Sequence, residues 1–367
     1  MSRLSEGQPR KSSWIGKFLG RAILQSQSFS KEILGKEAET NLAAVKTQYG
    51  RFVDCERSSI GGLDTVTLKT KDCDANSPYV IHFGGNRETW QSSISNTANF
   101  LYTHKKNEKH VSILFNPPGV GKSAGSVSSQ EDLVDAGLKQ VNVLLENGVK
   151  PEQIILKGYS LGGAVATLVA AKLKDEGKDV YLFNDRSFSS LKNVVKSWVQ
   201  KLHLPISTNF VKGVLTRFEW KMDVQDSWNK IDQDKKSLLY ADNDSIITDK
   251  GGLYRKIEKD PSTTDRDSVA LIRPVSGNDK ENHEAKLNHM QDLSEKRGET
   301  IFLEVIRKVA ANIVTTISLM DEGRRSESEI AASSMQENFT SKAKEPLHVA
   351  ERSAIPKTPA QKLGQTI

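Results

Sequence analysis

A serine between two glycines is the strongest chemical signal in the sequence. The run from Ile154 to Leu173 has the pattern of an apolar strand, an abrupt turn and a long helix, with Gly-Tyr-Ser-Leu-Gly at residues 158–162. Such a turn holds its apex residue at a strained positive φ, with the side chain out over the sheet edge. The pattern therefore predicts Ser160 as a nucleophile. The N–H of Leu161, at the helix N-terminus, would then stabilise an oxyanion.

A glycine-rich turn earlier in the chain predicts a second group for the same site. Tyr79 to Phe83 reads as a buried strand, and His82-Phe83-Gly84-Gly85-Asn86 follows as a turn into a helix. In hydrolases with a serine nucleophile, the loop after this strand supplies another backbone N–H to the oxyanion. We expect this donor to be the N–H of Gly85 or Asn86. An ordinary strand–helix turn is the alternative interpretation.

An acid and a base follow the serine in the order nucleophile, acid, base. Asp244 lies in the acidic turn after the strand that begins at Lys236, and His289 follows the last strong strand. Asp242 and Asp185 compete with Asp244 for the acid, and His283 competes with His289 for the base. For each histidine, an exposed position on a charged helix is the alternative.

A near match to a phosphate-binding loop suggests a different chemistry. Residues 116–123 read Asn-Pro-Pro-Gly-Val-Gly-Lys-Ser, close to G-x-x-x-x-G-K-[ST], which would make Lys122 and Ser123 the phosphate-binding pair of an NTPase. However, Asn116 replaces the first glycine, and loop residues rather than a helix follow Ser123. We keep the NTPase as an alternative function.

Composition narrows the remaining possibilities. The 367 residues include 52 basic and 46 acidic side chains, and this mild excess without a dense basic run argues against nucleic-acid binding. The two cysteines, Cys55 and Cys73, have neither metal-ligand spacing nor a set of partners, so we expect a reducing, cytoplasmic location in the producing cell. Nucleophilic chemistry at Ser160 needs no metal and no cofactor, and we expect neither. No apolar run is long enough to span a bilayer, and no signal peptide is evident.

The alternation of strands and helices from Val53 to Val314 predicts an α/β domain with a mostly parallel sheet. We expect a basic N-terminal extension over residues 1–47, this domain over residues 48–318 with a small helical lid at about residues 188–235, and a disordered polar tail over residues 319–367. In the extension, Trp14 to Ile23 has helical periodicity. Packing on the domain is the preferred interpretation, and peripheral membrane contact is the alternative.

Several of these segments together resemble the α/β-hydrolases, over about residues 51–313. They are HFGGN, FNPPGVGKSAG, GYSLGGAVA, VYLFNDRSFSSL and YADNDSII. The run PPGVGKSAGSVSSQEDLVDA is similar to the Y-x-G-x-G-x-S-x-G segment of the Bem-type (bud emergence) serine hydrolases, which accounts for residues 116–123 without a nucleotide. The combination also resembles SidB-type substrates of the Dot/Icm type IV secretion system of intracellular bacteria.

The resemblance implies an α/β-hydrolase fold, that is, a doubly wound, mostly parallel sheet. It also implies a serine hydrolase that cleaves acyl esters or thioesters, including lipid-like ones, through an acyl-enzyme on Ser160. Asp244 and His289 would complete the triad, and translocation into a host cell without a cleavable signal peptide is a further expectation. A non-catalytic interaction module on the same fold is the alternative.

Overall fold

The computed structural model describes residues 17, 20, 21, 23–201, 207–241, 244, 246, 247, 251–257, 269–272, 299–319 and 324. The chain divides into two compact units, residues 1–314 and 315–367. In the second unit, the described residues 315–319 and 324 are helical. All elements and contacts below belong to the first unit.

An eight-stranded sheet forms the centre of the first unit, in the order β1-β2-β4-β3-β5-β6-β7-β8. The strands β3 to β8 are parallel to one another, whereas β2 is antiparallel to both of its neighbours. The strands are β1 Val53–Ile60, β2 Leu63–Thr70, β3 Tyr79–Phe83, β4 Val111–Phe115, β5 Ile154–Tyr159, β6 Tyr181–Asp185, β7 Lys236–Ala241 and β8 Val269–Ile272.

The first two strands form the predicted hairpin at Gly61-Gly62. Both glycines have positive φ, at 57° and 79°. A two-residue turn of this kind matches the right-handed twist of the flanking strands, and glycine adopts it without steric cost. The sequence prediction of two strands joined at this pair is confirmed.

Helices cover both faces of the sheet. Alternation along β4 shows this, because Leu114 belongs to one apolar cluster and its neighbours Ile113 and Phe115 belong to another. The Leu114 cluster includes side chains of α1 (Lys31–Tyr49) and α2 (Trp90–His104), and the larger cluster includes those of α3 (Gln130–Glu146) and α4 (Leu161–Asp175). The helices are α1 Lys31–Tyr49, α2 Trp90–His104, α3 Gln130–Glu146, α4 Leu161–Asp175, α5 Leu191–Lys201, α6 Thr208–Arg217, α7 Val224–Lys230 and α8 Leu253–Ile257, and residues 299–314 are also helical.

The neighbouring strands β3 and β5 send their following helices to opposite faces. The loop after β3 leads to α2, and the turn after β5 leads directly into α4. In an open parallel sheet, such a switch point leaves a crevice outside the carboxyl ends of the two strands, where ligands bind. The glycine-rich loop after β3 and the turn at Ser160 therefore meet at this crevice.

These features confirm the predicted α/β-hydrolase fold. The segment predicted as a lid contains α5, α6 and α7, but its action as a lid and the domain boundaries remain predictions. Among the described residues, no helix combines the length and apolar character that crossing a bilayer requires.

The N-terminal extension contributes to the domain through a short segment that we call the strap, residues 24–28. It contains a 3₁₀ turn, Gln25–Ser28, and both Leu24 and Ser26 are buried. Just before it, Gly20 lies so close to the domain that an added Cβ would be 2.2 Å from the Val127 carbonyl oxygen. The described part of the predicted amphipathic helix thus packs on the domain, whereas Trp14 lies outside the described residues.

Candidate active site

The turn after β5 has the strained geometry that the glycine spacing predicts. Ser160 has φ 53° and ψ −116°, and α4 begins at the next residue. A Cβ at Gly158 would be 2.4 Å from the Gly162 carbonyl oxygen, and one at Gly162 would be 2.0 Å from the Phe83 carbonyl oxygen. Both distances are far below any tolerated contact, so only glycine fits there. The strand and the helix therefore approach closely enough to hold the serine at the apex of the turn.

Ser160 borders a cavity of about 1180 Å³ at the carboxyl edge of the sheet. Its side chain is nearly buried, and its N–H donates to the Asp185 carbonyl oxygen at 2.8 Å, which ties the turn to β6. The cavity walls include apolar side chains such as Leu114, Leu133 and Phe302. A cavity with a largely apolar lining next to a positioned hydroxyl is typical of a site for small molecules.

The loop after β3 lies beside Ser160 because the two strands are in register. Phe83 pairs with Gly158, so that Gly85 and Ser160 each lie two residues beyond a paired position. The N–H of Gly85 donates to the carboxylate of Glu88 at 2.6 Å. This contact corrects the expectation for Gly85, because a donor that already binds a carboxylate is not available to an oxyanion. Among the described residues, the N–H of Asn86 has no such partner.

Leu161 occupies the predicted position at the start of α4. As the first helical residue, it has no carbonyl of its own helix for its N–H. The positive end of the helix dipole lies at the same point, which favours a negative charge beside Ser160. Leu161 and Asn86, from the two segments that meet at the switch point, are therefore the two candidate backbone donors.

Asp244 is buried just beyond β7, close to the edge where Ser160 lies. Its Oδ1 accepts hydrogen bonds from the N–H groups of Ile246 and Ile247 at 2.8 and 2.7 Å. These bonds fix the carboxylate in a tight turn, as the Asx type of turn does. The competing Asp242 lies outside the described residues.

Asp185 is committed to a partner that the sequence analysis did not consider. The Arg186 guanidinium contacts both carboxylate oxygens of Asp185, at 2.7 and 3.0 Å, and both side chains are buried. Burial alone would lower the pKa of Arg186, but the carboxylates of Asp185 and, less strongly, Asp244 raise it above its ordinary value. Since the Arg186 cation neutralises Asp185, the geometry favours Asp244 as the acid. An adjacent Asp-Arg pair at a buried strand end is a signal that sequence reading could have used.

Neither candidate base can be placed, because His283 and His289 lie outside the described residues. His82 lines the cavity, but its Nε2 is 3.1 Å from the Ser112 hydroxyl. Burial, with the nearby Lys157 cation and His110, lowers the pKa of His82 well below its ordinary value. His82 is therefore a neutral group in a polar contact within the sheet, and we assign it no catalytic role.

The loop that resembles a phosphate-binding segment does not have phosphate-binding geometry. Three of its N–H groups bond within the protein: Val120 donates to the Pro117 carbonyl, Ser123 to the Val120 carbonyl and Lys122 to the Asp64 carboxylate. The next helix starts only at Gln130. A phosphate nest needs a row of unoccupied N–H groups at a helix N-terminus, so the structure gives no support to the NTPase alternative.

In the part of the chain that the structure describes, no three His, Cys, Asp or Glu side chains are grouped as metal ligands would be. Both cysteines are free thiols, with Cys55 on β1 and Cys73 in the turn after β2.

Comparison with solved structures finds several similar proteins. An α/β-hydrolase of Vibrio vulnificus matches with a TM-score of 0.49 and 16% identity, covering 76% of this chain and 94% of its own. An esterase/lipase of an uncultured bacterium has a TM-score of 0.45 and 12% identity, with coverages of 82% and 99%. An esterase of Pyrococcus furiosus has a TM-score of 0.46 and 17% identity, with coverages of 70% and 91%.

No curated protein matches the sequence. A family model does match, over residues 62–318, which include seven of the eight strands from β2 onward and the turn at Ser160. This range is well over half of the chain. The chain therefore belongs to the family described as Chlamydia CHLPS protein (DUF818).

Proposed function

We propose that the protein is a serine hydrolase that cleaves carboxylic esters or thioesters through an acyl-enzyme on Ser160. The observation that carries this proposal is the strained backbone of Ser160, with its positive φ, at the junction of β5 and α4. A conformation of this kind costs of order 1–3 kcal/mol and persists where the surrounding structure imposes it, often at a catalytic residue. Ser160 also faces a cavity with room for an acyl chain.

In the proposed reaction, Ser160 attacks the acyl carbonyl while a histidine removes the proton of its hydroxyl. His289 is our candidate for this base, on chain order and sequence resemblance, and Asp244 would orient it. The N–H groups of Leu161 and Asn86 would bind the oxyanion, and each such donor contributes about 3–4 kcal/mol in comparable sites. Water then attacks the acyl-enzyme with the same histidine as base, and no metal or cofactor takes part.

A fluorophosphonate probe tests the nucleophile. We expect the probe to label wild-type protein and to leave Ser160→Ala unlabelled, because only an activated serine attacks the phosphorus centre. Ser93→Ala is the matched control, since Ser93 lines the same cavity from α2 and has no place in the mechanism. Wild-type protein that is folded by circular dichroism but stays unlabelled would contradict the proposal.

Substrate range can be measured with p-nitrophenyl esters and acyl thioesters of increasing chain length, next to a phospholipid. Because the cavity is large and its walls include many apolar side chains, we expect kcat/KM to rise with acyl length beyond acetyl. Ser160→Ala distinguishes hydrolysis from a non-catalytic interaction module. If the protein is a serine hydrolase, this variant loses ester hydrolysis; the biological effect of an interaction module would survive the substitution.

We also propose, from the sequence resemblance alone, that the protein acts as a type IV secretion effector in a host cell. Fusion of residues 319–367 to a translocation reporter in a bacterium with a Dot/Icm system tests the signal, and absence of host-cell reporter activity would refute it.

Peripheral membrane contact through Trp14 to Ile23 is likewise a proposal. It fails if deletion of this segment leaves liposome binding unchanged.

A further inference from the structure

The strap holds Asn86 by two backbone hydrogen bonds. The N–H of Gln25 donates to Asn86 Oδ1 at 2.7 Å, and the N–H of Ser26 donates to the Asn86 carbonyl oxygen at 3.2 Å. Both acceptors of one residue are thus bound by consecutive residues of the strap. This fixes the side chain and the main chain of Asn86 together.

The strap itself is anchored to the domain at several points. The Gln27 side-chain amide donates to the Pro118 carbonyl oxygen at 2.9 Å, and Leu24 and Ser26 are buried. Within the strap, the N–H of Gln27 donates to the Leu24 carbonyl at 3.1 Å. Both Leu24 and Gln25 line the cavity that Ser160 borders. The strap is therefore a built part of the cavity wall.

The loop that carries Asn86 needs such anchors. It follows Phe83 with two glycines, whose backbone has more conformational freedom than that of other residues. Gly85 is held by Glu88, but this contact uses the N–H that an oxyanion would need. The strap provides the only contacts we find among the described residues that fix Asn86 through its acceptors and leave its N–H available.

We propose that the strap is part of the active site, and that it positions the Asn86 N–H for the oxyanion through the Asn86 side chain. This inference rests on the proposed serine hydrolase activity. It assigns Asn86 Oδ1 and the Gln25 N–H as a positioning pair. The strap lies outside residues 62–318, the range of the family model, so it adds a requirement that the family match does not contain.

Replacement of Gln25 by proline tests the pair directly. Gln25→Pro removes the N–H at the first position of a 3₁₀ turn, where proline is well tolerated. Gln25→Ala removes the same side chain and keeps the N–H, so the difference between the two variants reports the hydrogen bond alone. With a short p-nitrophenyl ester, we expect kcat at least about tenfold lower for Gln25→Pro than for Gln25→Ala, with KM within about twofold. A structural effect on the cavity wall would raise KM instead.

A double-mutant cycle with Asn86→Ala links the two groups. If they act as a pair, Gln25→Pro should lower kcat little further once Asn86→Ala has removed the acceptor. Full additivity, or equal kcat for Gln25→Pro and Gln25→Ala, would overturn the proposal.

Hydrogen exchange separates this inference from the proposed function, because it does not depend on activity. We expect faster amide exchange in the peptide spanning residues 84–90 for Gln25→Pro than for Gln25→Ala, at equal melting temperature. If the variants show this difference in exchange but the fluorophosphonate probe does not label wild-type protein, the proposed hydrolase activity is refuted while the strap contact is confirmed. Equal exchange in the two variants would refute the contact itself, whatever the activity. A difference in exchange with equal kcat would refute the catalytic role of the strap.

Discussion

Two buried carboxylates near Ser160 differ in what surrounds them. The Asp185 side chain has a bidentate partner in Arg186, whereas the Asp244 carboxylate accepts from two backbone N–H groups in its own turn. Removing one member of a buried ion pair leaves the other charge without compensation. The two aspartates should therefore respond to the same substitution in different ways.

We expect Asp244→Asn to keep the fold and to lose activity. Asparagine can still accept both backbone N–H groups through its side-chain oxygen, but it cannot stabilise a charged base, and such a change lowers kcat by about 10⁴ in comparable triads. We expect Asp185→Asn to destabilise the fold by about 3–5 kcal/mol, because Arg186 remains buried. Esterase kinetics and urea unfolding of both variants give the comparison.

The reverse result, with a stable but inactive Asp185→Asn and an active Asp244→Asn, would assign the acid to Asp185. Arg186→Met is a useful third variant. If the Asp185–Arg186 pair is structural, the double variant Asp185→Asn, Arg186→Met should be more stable than Asp185→Asn alone.

Local spacing made the strained turn at Ser160 predictable, because a strand, a tight turn and a helix are adjacent in sequence and the glycine requirement is steric. The contact of Glu88 with Gly85 could not be predicted in this way. Nothing in HFGGNRE indicates that its carboxylate folds back onto the Gly85 N–H, since this depends on the path of the loop in space. The contact between the strap and Asn86 could not be predicted either, because it joins residues 61 positions apart.

At the scale of elements, the helix over residues 299–314 packs beside the end of α2. Glu299 binds His104, Arg307 binds the buried Glu108, and Phe302 lies against Phe100 and Phe183 with ring centroids 5.5 and 5.0 Å apart. The buried His110 completes this group, with its ring 5.8 Å from that of Phe100. The strand pattern predicted the sheet, but the packing of this last helix on α2 was not evident, because an amphipathic helix does not specify its partner.

His110 should make stability depend on pH. Burial, opposed in part by the bond between its Nδ1 and the Glu108 carbonyl, lowers the pKa of His110 to about 4, from an ordinary value of 6.5. Between these values, the unfolded chain binds a proton that the folded chain does not. The contribution is therefore fully present above pH 6.5 and is lost as the pH falls toward 4.

Urea unfolding at pH 7 and pH 4.5 measures this effect. We expect wild-type protein to lose about 2–3 kcal/mol more than His110→Phe between the two pH values. Phenylalanine suits the aromatic surroundings and does not titrate, while His82 is present in both proteins and cancels from the comparison. An equal loss in both proteins would show that His110 is not the group responsible.

At the scale of the whole molecule, the tail should be dispensable for folding. The sequence predicts a polar, disordered segment over residues 319–367, and the family match ends at residue 318. We expect a chain that ends at residue 318 to melt within about 2 °C of the full chain and to be labelled at the same rate. Differential scanning calorimetry and the fluorophosphonate probe test this, and a clear drop in either property would show that the tail stabilises the domain.

The strap also has a consequence for how activity depends on temperature. The strap is only five residues long, and its hydrogen bonds to Asn86 and Pro118 join residues 61 and 91 positions apart in the sequence. Short segments of this kind open locally with a free energy below that of global unfolding. Warming should therefore release the strap while the sheet is still intact. Catalysis would then decline several degrees before the circular dichroism signal does, so the optimum temperature would be set by undocking of the N-terminal segment, not by melting of the domain.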